Sequence, residues 1–288
     1  MNSRALFFAA PLLLAGSALA HEFWLEPPRF QLKPGETVSL KLLVGESFTG
    51  KPWTTKASKV LRLVRYGPAD STDLTPLNPS ETDTLRTAVQ FTQPGTHLLA
   101  LSSTDSFIEL TGEQFTAYLR EEGLDFVLRQ RQQRGEQGKA ARETYRRRAK
   151  ALVQVGDPSA VPAAQDSACL RALGLPLELI PEQNPYRLAA GKALTVRVMR
   201  NGKPLKGAAV HIWQRQAAGQ PTSHFTTHAN QNGRILLRLS GPGPYLLATV
   251  DMGPAPASLR SRADWQSTRA SLTFGGPVVS FQPSPKKH

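Results

Sequence analysis

Six histidines are the side chains of this 288-residue chain that are best suited to hold a transition metal ion. The first, His21, follows Ala18-Leu19-Ala20, which has the small-x-small pattern of an export-signal cleavage site. Cleavage after Ala20 makes His21 the first residue of the exported chain. Its α-amine, with a pKa of roughly 8, and its ring Nδ1 would then chelate one ion together. With one further imidazole they form a three-nitrogen histidine brace, which suits copper or nickel and also accepts cobalt or zinc.

The further imidazole must come from another histidine, and His97 in the stretch PGTHLLAL is the leading candidate. We therefore predict a metal site built from His21 and His97. His97 shares a strand face with Leu99 and Leu101, however, and such a face is typical of a core. The alternative is a core histidine whose ring nitrogens are satisfied within the fold.

The remaining histidines are weaker candidates. The alternation of AVHIWQ puts His211 and Trp213 side by side on the outer face of a strand. His224 and His228 have the same strand parity but are about 13 Å apart on a straight strand, at ~3.3 Å per residue, so one metal ion cannot take both. His288 belongs to the C-terminal stretch SPKKH, which predicts a mobile tail.

A carboxylate could close the metal site, and the sequence offers Glu22 or Asp264 without a preference between them. His21 also has a simpler interpretation, in which it merely begins the mature chain and its ring packs beside Trp24. Both interpretations of His21 remain open at this point.

The start of the chain predicts export to the periplasm. Residues 1–20 resemble a signal peptide, with Arg4 before the apolar stretch ALFFAAPLLLAG, which is shorter than the ~20 residues of a membrane span. An uncleaved anchor is the alternative.

The single cysteine, Cys169, cannot form an internal disulfide and is expected to be a buried apolar residue. The formal net charge of +13 favours anionic envelope components as partners. We expect no nucleic-acid partner, because no motif for one is present.

The residue pattern predicts a mostly β protein with two β-sandwich domains, Ig-like or transthyretin-like, and a helical segment between them. Residues 21–111 contain strand-like stretches between Pro/Gly turns, such as TVSLKLLV and THLLALSS. Residues 112–155 predict a basic helical segment that begins at a capping box of Thr111 and Gln114. Within it, residues 118–150 hold ten Lys or Arg against five acids, which indicates a solvated face or a docking surface. Residues 156–169 have the composition of a linker, residues 170–276 return to strands, and residues 277–288 form a disordered tail.

The sequence has no pattern of a zinc protease, a P-loop, a GxSxG hydrolase or a Cys/His nucleophile, so we do not expect an enzyme. Oxidative copper chemistry at an N-terminal histidine stays open as a third alternative. The four tryptophans are scattered along the chain and do not indicate a flat aromatic substrate surface.

Several stretches together resemble one family of periplasmic proteins: AHEFWLEP, PGTHLLAL, IELTGEQFTAYLREEGLD, YRRRAKALVQVG, NPYRLAAGKALTVRVMRNGKPLKGAAV and ADWQSTRASLTF. The family is domain of unknown function 4198, often labelled as a periplasmic component of nickel or cobalt transport. The resemblance implies two β-sandwich domains bridged by a helical segment, in an exported protein connected with transition-metal handling. Only His21 carries over as a metal candidate.

These observations predict an exported binding protein that captures a transition metal ion or metal complex for uptake or delivery. A membrane transporter or an anionic envelope component is the candidate partner. The alternative is a non-catalytic interaction module of the envelope, which docks through its β-sandwiches and basic helices and in which His21 is incidental.

Overall fold

A computed structural model describes residues 22–75, 86–216 and 220–277. The predicted signal peptide, His21 and the tail from residue 278 with His288 lie outside the described residues. The described helices are Gly112–Glu121 (α1) and Asp125–Gln133 (α2), and both fall short of the length and apolar composition that a bilayer crossing requires. The described strands are Glu22–Glu26 (β1), Gln31–Leu32 (β2), Glu36–Glu46 (β3), Thr49–Pro52 (β4), Val60–Tyr66 (β5), Ser71–Asp73 (β6), Arg86–Phe91 (β7), Gly95–Ser103 (β8), Ser106–Leu110 (β9), Ala141–Val155 (β10), Leu177–Pro181 (β11), Ala193–Arg200 (β12), Lys203–Pro204 (β13), Ala209–Gln214 (β14), Ser223–His228 (β15), Arg234–Arg238 (β16), Tyr245–Pro254 (β17) and Trp265–Phe274 (β18).

These strands form one large sheet and two small sheets. The large sheet has the order β15-β14-β17-β18-β10-β8-β5-β6, and β2 and β9 also pair with β10. Strands β10 and β18 run parallel in its middle. One small sheet contains β1, β3, β4 and β7, and the other contains β11, β12, β13 and β16. The sheets pack face to face, so the predicted fold class, mostly β with sandwich packing, is confirmed.

The two small sheets cover opposite faces of the large sheet. On β10, Ala149, Ala151 and Val153 belong to the core shared with the β1 sheet, which we call the first core. Leu152 belongs to the core shared with the β11 sheet, which we call the second core. Because side chains alternate along a strand, one strand can form part of both cores.

The predicted boundaries at residues 111 and 170 do not separate the sheets. Strands β5, β6 and β8 from residues 21–111 lie in the same sheet as β14, β17 and β18 from residues 170–276. The predicted linker, residues 156–169, contains the buried Asp166. Its carboxylate accepts hydrogen bonds from Thr96 N at 2.6 Å and Asn184 Nδ2 at 3.0 Å. This segment therefore packs against both parts of the chain.

The prediction of a basic helical segment over residues 112–155 is wrong for its last third, because Ala141–Val155 is strand β10. Its many Ala, Arg, Lys and Glu residues favour a helix in isolation. In the fold, however, the segment pairs with neighbouring strands on both sides, and tertiary contacts override this propensity. Its charged side chains find partners inside: Lys150 Nζ donates to the Glu178 carboxylate, and Arg148 donates to the Ser103 carbonyl at 2.9 Å.

Helix α1 begins at the predicted capping box. Gln114 N donates to Thr111 Oγ1 at 3.2 Å, and Thr111 N donates to Gln114 Oε1 at 3.1 Å. The chain turns after the helix at Gly123, whose φ of +66° is one that glycine adopts without strain. This turn leaves Glu122 buried beside β14.

Candidate functional site

Strand β1 lies between the first core and the outer face of β14. Phe23 and Leu25 point into the first core, whereas Trp24 packs in a cluster with Trp213 of β14. Because side chains alternate along a strand, Glu22 lies on the same side as Trp24. The first described residue of the chain is therefore held over β14.

A cleft of about 350 Å³ opens at this point, between β1, the end of α1, and strands β14 and β15. It brings together carboxylates and imidazoles from five elements, which are β1, β3, the end of α1, β14 and β15. The lining residues are Glu22, Glu46, Ser47, Glu121, Glu122, His211, Trp213, His224 and Thr226. Imidazole nitrogens and carboxylate oxygens are common ligands of transition metals.

Two histidines meet on the wall formed by β14 and β15. The strand register places Trp213 opposite His224 and His211 opposite Thr226. His211 Nδ1 lies 3.4 Å from His224 Nε2 and 3.1 Å from Thr226 Oγ1. The indole of Trp213 stacks on the His224 ring, with centroids 4.7 Å apart. Ring packing therefore holds the two imidazoles with a nitrogen of each directed toward the other.

The second ring nitrogen of His211, Nε2, is buried and has no hydrogen-bond partner among the described residues. The Glu122 carboxylate lies 3.9 Å away, which is too far for a hydrogen bond. Burial, and to a lesser extent the nearby His224 and His228, lower the pKa of His211 to about 4. Burial also lowers the pKa of His224. At neutral pH both imidazoles are neutral, which is the form that binds a metal ion.

The carboxyl groups of Glu22 and Glu122 form the opposite side of the cleft. Burial raises the pKa of Glu22 to about 8, and the neighbouring Glu122 also raises it. Glu22 Oε2 is buried without a hydrogen-bond partner among the described residues. Burial likewise raises the pKa of Glu122, although Arg269, which donates to it at 3.2 Å, favours its charged form. A cation in the cleft would offset the cost of ionising these two acids.

Arg269, which donates to Glu122, also interacts electrostatically with a second buried acid, Glu143. Tyr118 Oη lies 3.4 Å from Glu143 Oε1, and the Ser267 hydroxyl donates to the same oxygen. The Arg269 guanidinium lies 5.0 Å from the centroid of the Tyr118 ring. Burial raises the pKa of Glu143, and Arg269 opposes this rise. These contacts fix the position of the Arg269 side chain that holds Glu122.

The structure places His97 beside the first core, in contact with Phe91 and outside this cleft. It is fully buried on β8, and burial lowers its pKa. Arg65 NH1 lies 3.1 Å from His97 Nδ1, and because arginine can only donate, Nδ1 is the acceptor. His97 Nε2 then donates to the Gln93 carbonyl at 2.8 Å. Both nitrogens are used within the fold, which favours the core-histidine alternative over a place beside His21.

Of the other predicted ligands, some line this cleft and others lie elsewhere in the fold. Glu22 lines the cleft, whereas Asp264 pairs with Arg142 at 2.9 Å in a different part of the molecule. His228 lies on β15 but is exposed and does not line the cleft. Within the described residues, no group of three or more His, Cys, Asp or Glu side chains could hold a metal ion. Cys169 is buried in the second core, as expected, and burial raises the pKa of its thiol to about 12.

Sequence reasoning ranked His211 and His224 below His97 and gave Glu122 no role. The outer-face position of His211 beside Trp213 is confirmed, with ring centroids 5.7 Å apart. The strand pattern could not reveal that β1 covers this outer face. For Glu122, a usable signal was its position between a predicted helix end and Gly123.

A family model described as "Domain of unknown function (DUF4198)" matches residues 18–253. No curated protein sequence matches the chain. Among solved structures, Escherichia coli alpha-2-macroglobulin activated by porcine elastase is similar over 90% of this chain and 20% of that chain, at 11% identity and a TM-score of 0.23. A two fibronectin type-III domain segment from chicken tenascin is similar over 79% of this chain and 89% of that chain, at 10% identity and a TM-score of 0.21. Murine CEACAM1b is similar over 89% of this chain and 100% of that chain, at 11% identity and a TM-score of 0.21. At these scores the structural similarities carry no argument about function.

Proposed function

The chain belongs to the DUF4198 family, and from its cleft we propose that the protein binds a transition metal ion or a small metal complex. The exported chain would begin at His21 in the periplasm. The metal would be cargo for uptake or delivery, with a membrane transporter as its recipient, and no catalysed reaction is part of the proposal.

One observation carries this proposal: Glu22, which is one peptide bond from His21, lies in the same cleft as His211 and His224. Consecutive Cα atoms are only about 3.8 Å apart, so a chain that began at His21 would begin one residue away from a lining residue of this cleft. The sequence made His97 the leading partner for His21 and left His211 and His224 as weaker candidates, and it is these two that line the cleft.

Each group would have a distinct role. The amine and Nδ1 of His21 would provide two nitrogen ligands, and His211 or His224 would provide the third. Glu22 or Glu122 would add an oxygen ligand and compensate the charge of the ion. The buried atoms without hydrogen bonds, His211 Nε2 and Glu22 Oε2, are the kind of atoms that such a ligand would satisfy.

The rival proposal, docking through basic helices, loses part of its basis. Three of the ten basic residues in the run 118–150, Arg147, Arg148 and Lys150, are buried on β10 and do not form a helix face. Exposed basic residues remain near α2.

The test is calorimetric titration of the protein that begins at His21 with Cu(II), Ni(II), Co(II) and Zn(II). We expect one ion per chain for at least one metal. One extra alanine before His21 should weaken its binding by about 100-fold or more, because the amine can no longer chelate together with the His21 ring.

The matched variants are His224→Ala and His228→Ala. Both change a histidine of β15, but only His224 lines the cleft. We expect His224→Ala to weaken binding by about tenfold or more and His228→Ala to leave the affinity within about threefold. Equal affinities in all four proteins, or no binding in any, would refute the proposed site.

A further inference from the structure

A second cleft, of about 520 Å³, lies between the segment that follows α2 and the turn that connects β17 to β18. It shares no lining residue with the first cleft. Its charged lining residues are Arg131, Arg134, Lys139, Arg260, Glu136 and Asp264. Asp264 is neutralised by Arg142, which does not line the cleft, so basic groups dominate.

Arg131 is the feature that points to a ligand. Its side chain is buried, at 2% exposure, and it forms no salt bridge with any described residue. One terminal nitrogen donates to the carbonyls of Glu136 and Lys139, but Nε is buried with no hydrogen bond among the described residues. Glu136 and Asp264 favour the charged form of Arg131 only from beyond salt-bridge distance, so its burial is incompletely compensated, and an anion in the cleft would compensate it further.

The other basic groups are placed to meet the same anion. Arg134 is exposed, and its guanidinium lies 5.9 Å from the centroid of the buried Trp265 ring at the cleft wall. Lys139 and Arg260 are exposed and form no salt bridge with a described residue. Guanidinium groups bind carboxylate and phosphate oxygens in a bidentate manner.

We propose that this cleft binds a small oxyanion with two or more negative charges, carried by carboxylate or phosphate groups. Four basic side chains surround it, and the buried one, Arg131, has no acid within salt-bridge distance in the described part of the chain. The cleft volume falls in the range of small-molecule sites, about 300–1,000 Å³. This site does not depend on metal binding at the first cleft.

The test uses the mature protein freed of metal on a chelating resin, titrated by calorimetry with citrate and with pyrophosphate at constant ionic strength. We expect one molecule of at least one anion per chain, with a Kd below about 1 mM. A preference for citrate would indicate a carboxylate ligand, and a preference for pyrophosphate a phosphate ligand. No one-to-one binding of either anion would overturn the proposal.

Two double variants separate a specific site from general attraction to a basic protein. Arg134→Gln with Arg260→Gln removes two exposed charges of the cleft. Arg129→Gln with Arg262→Gln removes two exposed charges from the same helix and the same turn, outside the cleft. We expect the first pair to weaken binding by about tenfold and the second by less than about threefold. Equal weakening would also overturn the proposal.

Discussion

His97 and His211 are both buried histidines on strands of the large sheet, with exposures of 0% and 9%. Burial lowers the pKa of each. Their hydrogen bonds differ, however. Both nitrogens of His97 are used, by Arg65 and the Gln93 carbonyl, whereas Nε2 of His211 has no hydrogen-bond partner in the described part of the chain. Burial alone therefore does not distinguish the two histidines, but the satisfaction of their ring nitrogens does.

The surroundings of His97 and His211 also differ in how many chain segments form them. Strands β5 and β8, which are paired neighbours, hold His97 and its partner Arg65. The cleft at His211 needs β1, the end of β3, the end of α1, β14 and β15 together. A site assembled from distant segments can leave polar atoms without hydrogen bonds and available to a ligand. The surroundings of His97, in contrast, satisfy both of its ring nitrogens.

The largest expected effect is on metal affinity. His211→Ala should weaken binding of the preferred metal by about 100-fold, because it removes one of two convergent imidazoles, whereas His97→Gln should change it by less than about threefold. Calorimetric titration of both variants, each starting at His21, measures this difference. An equal loss of metal affinity in the two variants would contradict the proposed difference in function between His211 and His97.

The next effect is on folding stability, where we expect the change at His97 to matter more than the change at His211. His97→Ala should lower the free energy of unfolding by about 2 kcal/mol, because Arg65 and the Gln93 carbonyl lose their buried partner and a cavity remains. His211→Ala should lower it by about 1 kcal/mol or less, since only the His211 Nδ1 contacts are lost. Urea unfolding of the metal-free proteins gives both values, provided that the m-values agree. A larger loss for His211→Ala would contradict this prediction.

The dependence on pH follows from the lowered pKa of His97. Between its folded pKa and its unfolded pKa of about 6.5, the unfolded chain binds a proton that the folded chain excludes. As the pH falls from 7 to 5, wild type should therefore lose stability relative to His97→Gln, with a limiting slope of about 1.4 kcal/mol per pH unit. Unfolding curves at three pH values give the difference directly. A constant difference would show that His97 titrates normally in the fold.

The smallest effect is expected at Thr226. Thr226→Val removes the 3.1 Å contact to His211 Nδ1, but His224 Nε2 remains 3.4 Å from the same atom. The free energy of unfolding should therefore fall by only about 0.5 kcal/mol. Urea unfolding measures the change, with Thr227→Val on the same strand as the control. A loss above about 2 kcal/mol would mean that the imidazole pair depends on Thr226 for its position.

The sequence by itself determined much of the strand pattern. Period-two alternation identified β3, β8 and β14, and the capping box identified the start of α1. These signals are local, because a strand face or a helix cap is encoded within a few residues. The same local signals failed at β10, where helix-favouring residues adopt a strand because partners on both sides and buried ion pairs stabilise it.

The composition of the candidate site, in contrast, was decided by tertiary structure. The sequence identified His21 and Glu22 as candidate ligands and placed His211 beside Trp213. Only the packing of β1 over β14 and the turn at Gly123 bring Glu22, Glu122 and His211 to one cleft. The physical reason is that ligand sites depend on distances between segments remote in sequence, and those distances follow from which sheet faces which.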